Sequence, residues 1–490
     1  MIRIQAPHTE VGRSAVIAAA RMAVANLGGD GDGCGLVVRL LLDDVGRRSS
    51  PEIDDGEIEL VITPDGTEVV LELRDRGEPI SAEPQTLHPL VSLGVVTGSH
   101  AGTDGHGNVT AIHLALQSHH SVEDLTDEEI LHAEVAVSTE EVTIRELIEA
   151  DASSLTRLLY RCYGWSYPNT DLYFPERIVA ALRAGTRIGM VAVTSAGEVV
   201  AHWGAVFFGP HVVESGSTVT DPRFRHRGIA KSLGEQLLDR LKERSVIGRF
   251  REPVLTHTAT QEIALKEGAV MVGLRVNRNQ ALQQVGITNG LMHHRSSVTV
   301  AFGVLGDFPV ATIFVPEDYA AILRVVLSHS AWPRHIAAPN DRVEAPTQTR
   351  AKSSYDAGNQ SATIDVHVVG LDLVDEVDAA MDRARRGGAK SIEVHLPTAQ
   401  PALAELGRGL IDLGLAYAAY LPMLHEDSDV LILQWLDETH VDTSEWHYAS
   451  DHVEALALAI VSQIHQAQNR ATSARRAAAR RVSGTVDHRN

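Results

Sequence analysis

Between a strand-like run and a leucine-spaced helix lies Val219-Thr220-Asp221-Pro222-Arg223-Phe224-Arg225-His226-Arg227-Gly228-Ile229-Ala230. A glycine turn that opens a helix leaves consecutive backbone N–H groups bare, and beside the positive helix end they form a cradle for a phosphate-type anion. Arg225 and Arg227 add positive charge there. The same letters could simply cap a helix, since short glycine motifs often recur without function. Further on, His257 stands in REPVLTHTATQ, where a strand passes into a helix. Its imidazole titrates near neutrality and can act as acid or base, or hydrogen-bond locally and cap the helix with Thr258. Tyr163, Trp165 and Tyr167 crowd the loop YRCYGWSYP in a chain that is only 4% aromatic. They either shape a pocket or plug a core or interface.

The cradle run resembles motif A of the GNAT superfamily of N-acyltransferases, with Arg225, Gly228 and Ala230 in its R-x-x-G-x-(G/A) pattern. Residues 142–280 carry the surrounding element order of that family. The resemblance implies that Val219, Arg225, His226, Arg227, Gly228, Ile229 and Ala230 hold the pyrophosphate of an acyl-CoA, with acetyl-CoA the expected donor. It also implies a general base on the strand before the cradle, where Glu214 stands; the alternative for Glu214 is an ordinary carboxylate at a sheet edge. Acyl transfer to an amine removes a proton from the ammonium and returns one to the leaving thiolate, which the fold achieves by positioning. Glu214 and His257 are the catalytic candidates. Tyr163, Trp165 and Tyr167 are the expected acceptor pocket. The general-acid Tyr that family members carry on the next helix is missing from QEIALKEGAVMVG.

The elements that must position these residues are readable from periodicity. From Val142 a strand (VTIREL) leads to a helix opened near Asp151, and then to the pair RIGMVAVT and EVVAHWGAVF around Ala196-Gly197. The strand HVVESGSTV and the helix GIAKSLGEQLLDRLKER enclose the cradle. After Gly290 the pattern returns as SVTVAFGVL, FPVATIFV and the helix EDYAAILRVVL. The polar run NDRVEAPTQTRAKSSYDAGNQ predicts a mobile loop. Beyond it, strands and helices closing at Gln434-Trp435 resemble the C-terminal half of another GNAT fold, here without an R-x-x-G-x-A turn. A helix from about Val453 ends in the basic ATSARRAAARR, a frayed tail rather than a DNA-binding arm.

At the other end, VGRSAVIAAARMAVANL has helical spacing, while GEIELVITP and TEVVLELRD alternate as a hairpin around Pro64-Asp65-Gly66. With Asp75-Arg76-Gly77-Glu78-Pro79 and AGTDGHGNVTAIHLAL, residues 1–118 resemble the GHKL ATPase fold of anti-sigma-factor serine kinases. That resemblance implies a nucleotide site at Asp43, Asp75 and Gly77, with Asp75 accepting from the adenine amino group. In VVRLLLDDVGRRSS, however, Asp43 replaces the family's Glu and Arg47 its magnesium-binding Asn. Arginine offers Mg2+ no oxygen ligand. The lid LVSLGVVTGSHAG also lacks a G-x-G clamp. The expectation is a fold kept for regulation, with ATP binding without metal left open and a regulatory protein as partner.

Composition bounds the rest. A formal net charge of -21 repels polyphosphate chains, so no nucleic-acid partner is expected. Cys34 and Cys162 stand far apart, which excludes a thiolate zinc site and fits a reducing compartment. MIRIQAPHTE lacks a signal pattern and no stretch nears the ~20 apolar residues of a membrane span. A cytoplasmic, membrane-free protein is expected. The predicted architecture is α+β and multidomain: a GHKL-type α/β sandwich (1–120), a linker (121–140) in which Ser121 caps a short helix, and tandem GNAT folds with mixed central sheets flanked by helices. The catalytic fold spans 141–288 and the empty one 289–440, the latter with a mobile loop at 340–361; a C-terminal helix and tail fill 441–490. The expected function is acyl-CoA-dependent N-acyl transfer to an amine of a small molecule or protein. The alternatives are a non-catalytic acyl-CoA sensor or anti-sigma-type signalling protein, and a biosynthetic tailoring enzyme.

Overall fold

The computed structural model describes residues 2–27, 29–48, 56–65, 68–80, 87, 90–91, 95–104, 107–115, 136–288, 291–338, 344–356, 359–425, 428–438 and 441–486. The Ser121 cap, most of the expected linker, the centre of the expected lid and parts of the 340–361 loop lie outside them. Two compact units form: Met1–His120 with Ser353–Thr363 and Met381–Lys390, and Ser121–Lys352 with Ile364–Ala380 and Ser391–Asn490.

In the first unit, helices Glu10–Asn26 and Gly31–Arg48 accompany β1 (Ile2–Pro7), β2 (Glu57–Asp65), β3 (Glu68–Asp75), β4 (Gly98–Asp104) and β5 (Gly107–Ala115). The described strands pair in the order β1-β2-β3-β5-β4. Strict alternation in β3 and β5 turns one sheet face inward. Val16, Ala20, Val37, Leu41, Leu71 and Leu73 meet in the resulting two-layer core.

The second unit is organised by a sheet of β6 (Val142–Glu146), β7 (Arg187–Thr194), β8 (Val199–Phe208), β9 (Val212–Thr220), β10 (Gly248–Arg251), β11 (Val270–Asn279) and β12 (Ser296–Val304). After the short pair β13 (Ala311–Ile313) and β14 (Arg334–Ile336), the sheet's further strands are β15 (Arg350–Asp356) and β16 (Ser361–Val368), whose residues within 353–363 belong to the first unit, and β17 (Ser391–Pro397), β18 (Ala416–His425) and β19 (Ser428–Leu436). Its order among the described residues is β15-β16-β17-β19-β18-β11-β12-β10-β9-β8-β7-β6. The order β9-β10-β12-β11 reappears as β16-β17-β19-β18, each time with a helix between the first two strands: Ile229–Glu243 and Leu373–Arg386. The two runs meet where β11 pairs with β18 at Gly273↔Ala419. A Cβ at Gly273 would overlap the Ala418 carbonyl, so glycine is what lets these strands close.

Residues 350–356, expected within a mobile loop, form the edge strand β15 instead. An edge strand needs only one apolar neighbour surface, so polar composition hid it. Leu233, Leu237 and Leu241, one helical turn apart, seat helix Ile229–Glu243 on the sheet. Each fully buried leucine contributes about 2 kcal/mol. Gly234 lets this helix approach closely, because a Cβ there would overlap the Trp203 ring.

Candidate functional site

β9 and β10 run parallel, but their register holds only from Val212↔Gly248 to Glu214↔Phe250. Beyond that point β9 continues along β8 to Thr220, leaving residues 215–220 without a strand partner on the other side. A bulge drives the parting: the register slips between His202 and Gly204, and Ser217 sits in the left-handed region with φ 54°. His202, fully buried, donates from Nδ1 to the Ser217 carbonyl at 2.8 Å and pins this turn of the backbone. Burial lowers the His202 pKa to about 4, so the ring is neutral.

The open edge of β9 leads directly to the cradle. His226 and Gly228 have φ 61° and 74°, and helix Ile229–Glu243 begins at once. Arg225 N–H bonds to the Pro222 carbonyl and Ser232 N–H to that of Gly228, while the N–H groups of 226–231 between them have no acceptor among the described residues. A Cβ on Gly228 would meet nothing within 4 Å, so the space over the turn is open. Six bare donors beside a helix N-terminus are what an anionic diphosphate requires.

The arginines do not point into that space as expected. Arg225 donates to the carbonyls of Thr220 (3.1 Å) and Val285 (2.6 Å), and Arg227 to those of Ser138 (3.0 Å) and Glu140 (2.7 Å). Each guanidinium ties two carbonyls together, so these side chains fasten the loop and the anion is left to the backbone. Val219 likewise buries its side chain in the core and offers the groove only its backbone. His226 is exposed and Ala230 half-buried. Asp221, wholly buried, accepts from Arg223 N–H at 2.9 Å and joins Arg161, Glu198 and Arg223 in a four-residue ion network that shapes the turn.

Glu214, half-buried, stands where the strands part, on the sheet face opposite Trp203. Tyr167 lies near enough to Ser217 and Glu214 for both to influence its phenol. Burial chiefly, and Glu214 as well, raise the Tyr167 pKa, keeping the phenol protonated. The Tyr163 and Tyr167 rings meet edge-on at 4.8 Å, whereas Trp165 is half exposed and packs edge-on against Tyr160 and at a tilt against Tyr173 instead. Of the three expected pocket aromatics, Tyr167 alone is brought to Glu214. Its place near Glu214 depends on a loop folding over the strand bulge, which spacing along the chain does not reveal.

His257 is tied down through its backbone. Its carbonyl accepts from the buried Gln261, which also donates to Val254 and His447 and so ties this segment to the stretch before the last helix. Burial lowers the His257 pKa, with His447 adding to the effect. Within the first unit, Asp75 accepts from Arg48 through both oxygens, and from Gly77 N–H and Asn108 Nδ2. Asp43 pairs with Arg13. Arg48 rather than Arg47 is the arginine that reaches the D-x-G-x-P segment. No cluster of three potential metal ligands forms among the described residues, and no described helix is long and apolar enough to cross a membrane.

Residues 146–264 match the model of the acetyltransferase (GNAT) family, and this segment is a GNAT acetyltransferase domain. Solved structures similar to the chain include a GNAT superfamily phosphinothricin acetyltransferase from Sinorhizobium meliloti in complex with AcCoA, 19% identical with a TM-score of 0.28, over 34% of this chain and 89% of that one. Ard1 from Thermoplasma volcanium is 18% identical with a TM-score of 0.26, over 34% of this chain and 99% of that one. A mutant spermidine N-acetyltransferase from Vibrio cholerae is 12% identical with a TM-score of 0.27, over 34% of this chain and 94% of that one. No curated protein matches the chain.

Proposed function

We propose that residues 141–288 catalyse acyl-CoA-dependent N-acylation of an amine, with acetyl-CoA as the expected donor. The observation that carries this reading is the run of six unfilled N–H groups, 226–231, at the end of a strand parted from its neighbour. The donor supplies a thioester carbonyl that an amine nitrogen attacks, so that an N–C bond forms, the C–S bond breaks and the thiolate takes up a proton. Backbone N–H groups of 226–231 hold the diphosphate, and the unpaired edge of 215–220 receives the chain that links it to the thioester. Glu214 takes the proton of the incoming ammonium, directly or through water. Tyr167 holds a phenolic proton near Glu214 and Ser217 and gives it up on the leaving-group side, the place left vacant by the missing helix tyrosine, and the second proton shed by the acylated nitrogen restores it.

The repeated order β16-β17-β19-β18 supports reading the following segment as a second GNAT-like copy without a donor site. For the N-terminal unit, the filled carboxylate of Asp75 supports a regulatory, partner-binding role over ATP chemistry.

Glu214→Gln tests the central reading. Calorimetry should show acyl-CoA affinity within about twofold of wild type, while CoA release with an amine panel falls by about 10²- to 10⁴-fold, the range for a lost general base. Unchanged turnover overturns Glu214 as the base. Wild-type protein that binds acyl-CoA without releasing CoA to any amine is a sensor, and the enzyme reading fails.

A further inference from the structure

Strand register places three glycines side by side. Gly189 on β7 pairs with Gly204 on β8, which pairs with Gly216 on β9, and paired residues share a sheet face. One row away on that face stand Arg187, Val206 and Glu214, and on the other side of the glycines stand Val191 and His202. The missing side chains leave a floor over which their neighbours lean. A Cβ at Gly189 would lie 2.7 Å from His202 Nε2, one at Gly204 would lie 3.6 Å from Arg187 Nη1, and one at Gly216 would lie 3.6 Å from Glu214 Oε1. Tyr167 lies within electrostatic range of Glu214 and Arg187. Glu214, Gly216 and Ser217 are part-exposed and form the opening.

Two groups over this floor are unmatched. Arg187 is 6% exposed, yet makes no ion pair among the described residues, and its Nη1 has no hydrogen-bond partner. His202 is wholly buried and its Nε2 is also without a partner. Leaving a guanidinium buried without a matched anion costs several kcal/mol, so a site that keeps one there is built for an anion that arrives. Glu214 sits within electrostatic range of Arg187 without bonding to it. The recess thus offers a cation, a neutral acceptor nitrogen and an anion in one small space.

We propose that the acceptor is a small zwitterion, an amine bearing a carboxylate as in a free amino acid. Its carboxylate seats on Arg187 over the glycine floor and its ammonium faces Glu214, next to the unpaired edge of β9. The proposal rests on the acyltransferase reading and names the substrate class of that same site. Glu214 takes the ammonium proton, the nitrogen bonds to the acyl carbon, the C–S bond breaks as the thiolate leaves with the Tyr167 proton, and the second proton that the nitrogen sheds on becoming an amide restores the Tyr167 phenol. The row-mates Gly189 and Gly204 are then positioning residues, because a Cβ on either would displace the His202 ring, and Gly216, whose Cβ would meet only Glu214 Oε1 at 3.6 Å, is a specificity determinant.

The test measures CoA release from acetyl-CoA with glycine, L-serine, L-methionine and L-glutamate, each against its carboxamide and against ethylamine. At least one amino acid should be turned over, with kcat/KM about a hundredfold above its carboxamide, because the amide leaves the buried guanidinium unpaired. Arg187→Met should erase that ratio, and Arg187→Lys should restore part of it; a circular dichroism melt separates these effects from misfolding. Equal turnover of acids and amides, or turnover of ethylamine alone, overturns the zwitterion and leaves the acyltransferase standing. Acetyl-CoA bound with no turnover of any amino acid also overturns it. Failure of the wild-type protein to bind acetyl-CoA sinks the acyltransferase reading itself.

Discussion

Two strand-to-helix turns occupy matching places in the repeated sheet order, and they treat their backbone donors in opposite ways. After β9, the N–H groups of 226–231 are bare. After β16, the protein fills the turn itself: Val369 N–H goes to Gln400 Oε1 (2.8 Å), Gly370 N–H to Thr349 Oγ1 (3.0 Å) and Leu371 N–H to the Pro346 carbonyl (2.9 Å). The segment 346–349 lies so close that a Cβ on Gly370 would overlap the Gln348 and Thr349 backbone, whereas one on Gly228 would meet nothing. An anion site is therefore a matter of which donors are left over. Helix direction and sheet order do not separate the two turns; a short stretch of chain laid across one of them does.

The largest expected effects come from exchanging glycine for valine in each turn. Gly228→Val forces a β-branched residue to φ 74°, a strain of about 1–3 kcal/mol that distorts the donor array. Acyl-CoA affinity should fall about 10- to 100-fold, with a lower melting temperature that reflects the strain. Gly370→Val should cost stability alone: overpacking against the 348–349 backbone costs about 1–3 kcal/mol, seen as a lower melting temperature, while acyl-CoA affinity stays as in wild type. If calorimetry shows both variants losing acyl-CoA alike, the two turns are not functionally distinct.

Much of the first turn was legible in the sequence. Arg225, Gly228 and Ala230 mark it, and the flanking strand and helix follow from alternation and leucine spacing. The use of its arginines was not, because Arg225 and Arg227 bond to carbonyls at Val285, Ser138 and Glu140, far along the chain. Gly189, Gly204 and Gly216 each look like an ordinary strand glycine until register aligns them, and register is a property of paired strands. His257 keeps the chemistry of a catalyst, since Gln261 holds only its backbone carbonyl and its Nδ1 is buried without a hydrogen-bond partner among the described residues. The plug over the second turn lay within the polar run expected to be mobile.

A pH titration probes what holds the first turn's strand open. His202 has its pKa lowered from 6.5 to about 4 by burial, with Arg187 adding to the effect. Between those values the unfolded chain binds a proton that the folded one does not, so stability is full above about pH 6.5 and declines toward pH 4, by up to ~3 kcal/mol. Denaturant midpoints taken across that range should show this slope in wild type and lose much of it in His202→Gln. An equal slope in both would mean that the bulge does not depend on a neutral ring at this position.

The smallest effect is expected from Gln400→Ala, which asks whether a filled turn becomes an anion site once a donor is freed. The substitution strips Val369 N–H of its acceptor and the His367 carbonyl of its donor, bonded at 2.7 Å. Val369 is buried, so the loss should cost about 1–2 kcal/mol and a few degrees of melting temperature. No second acyl-CoA should bind, because Gly370 and Leu371 keep their partners. Asp372, its pKa lowered by the hydrogen bond from Thr349 N–H, also keeps a negative charge in the turn. A calorimetric stoichiometry that rises from one donor per chain to two would break the comparison, since it would mean that one bond, rather than the whole covering segment, separates the empty turn from the filled one.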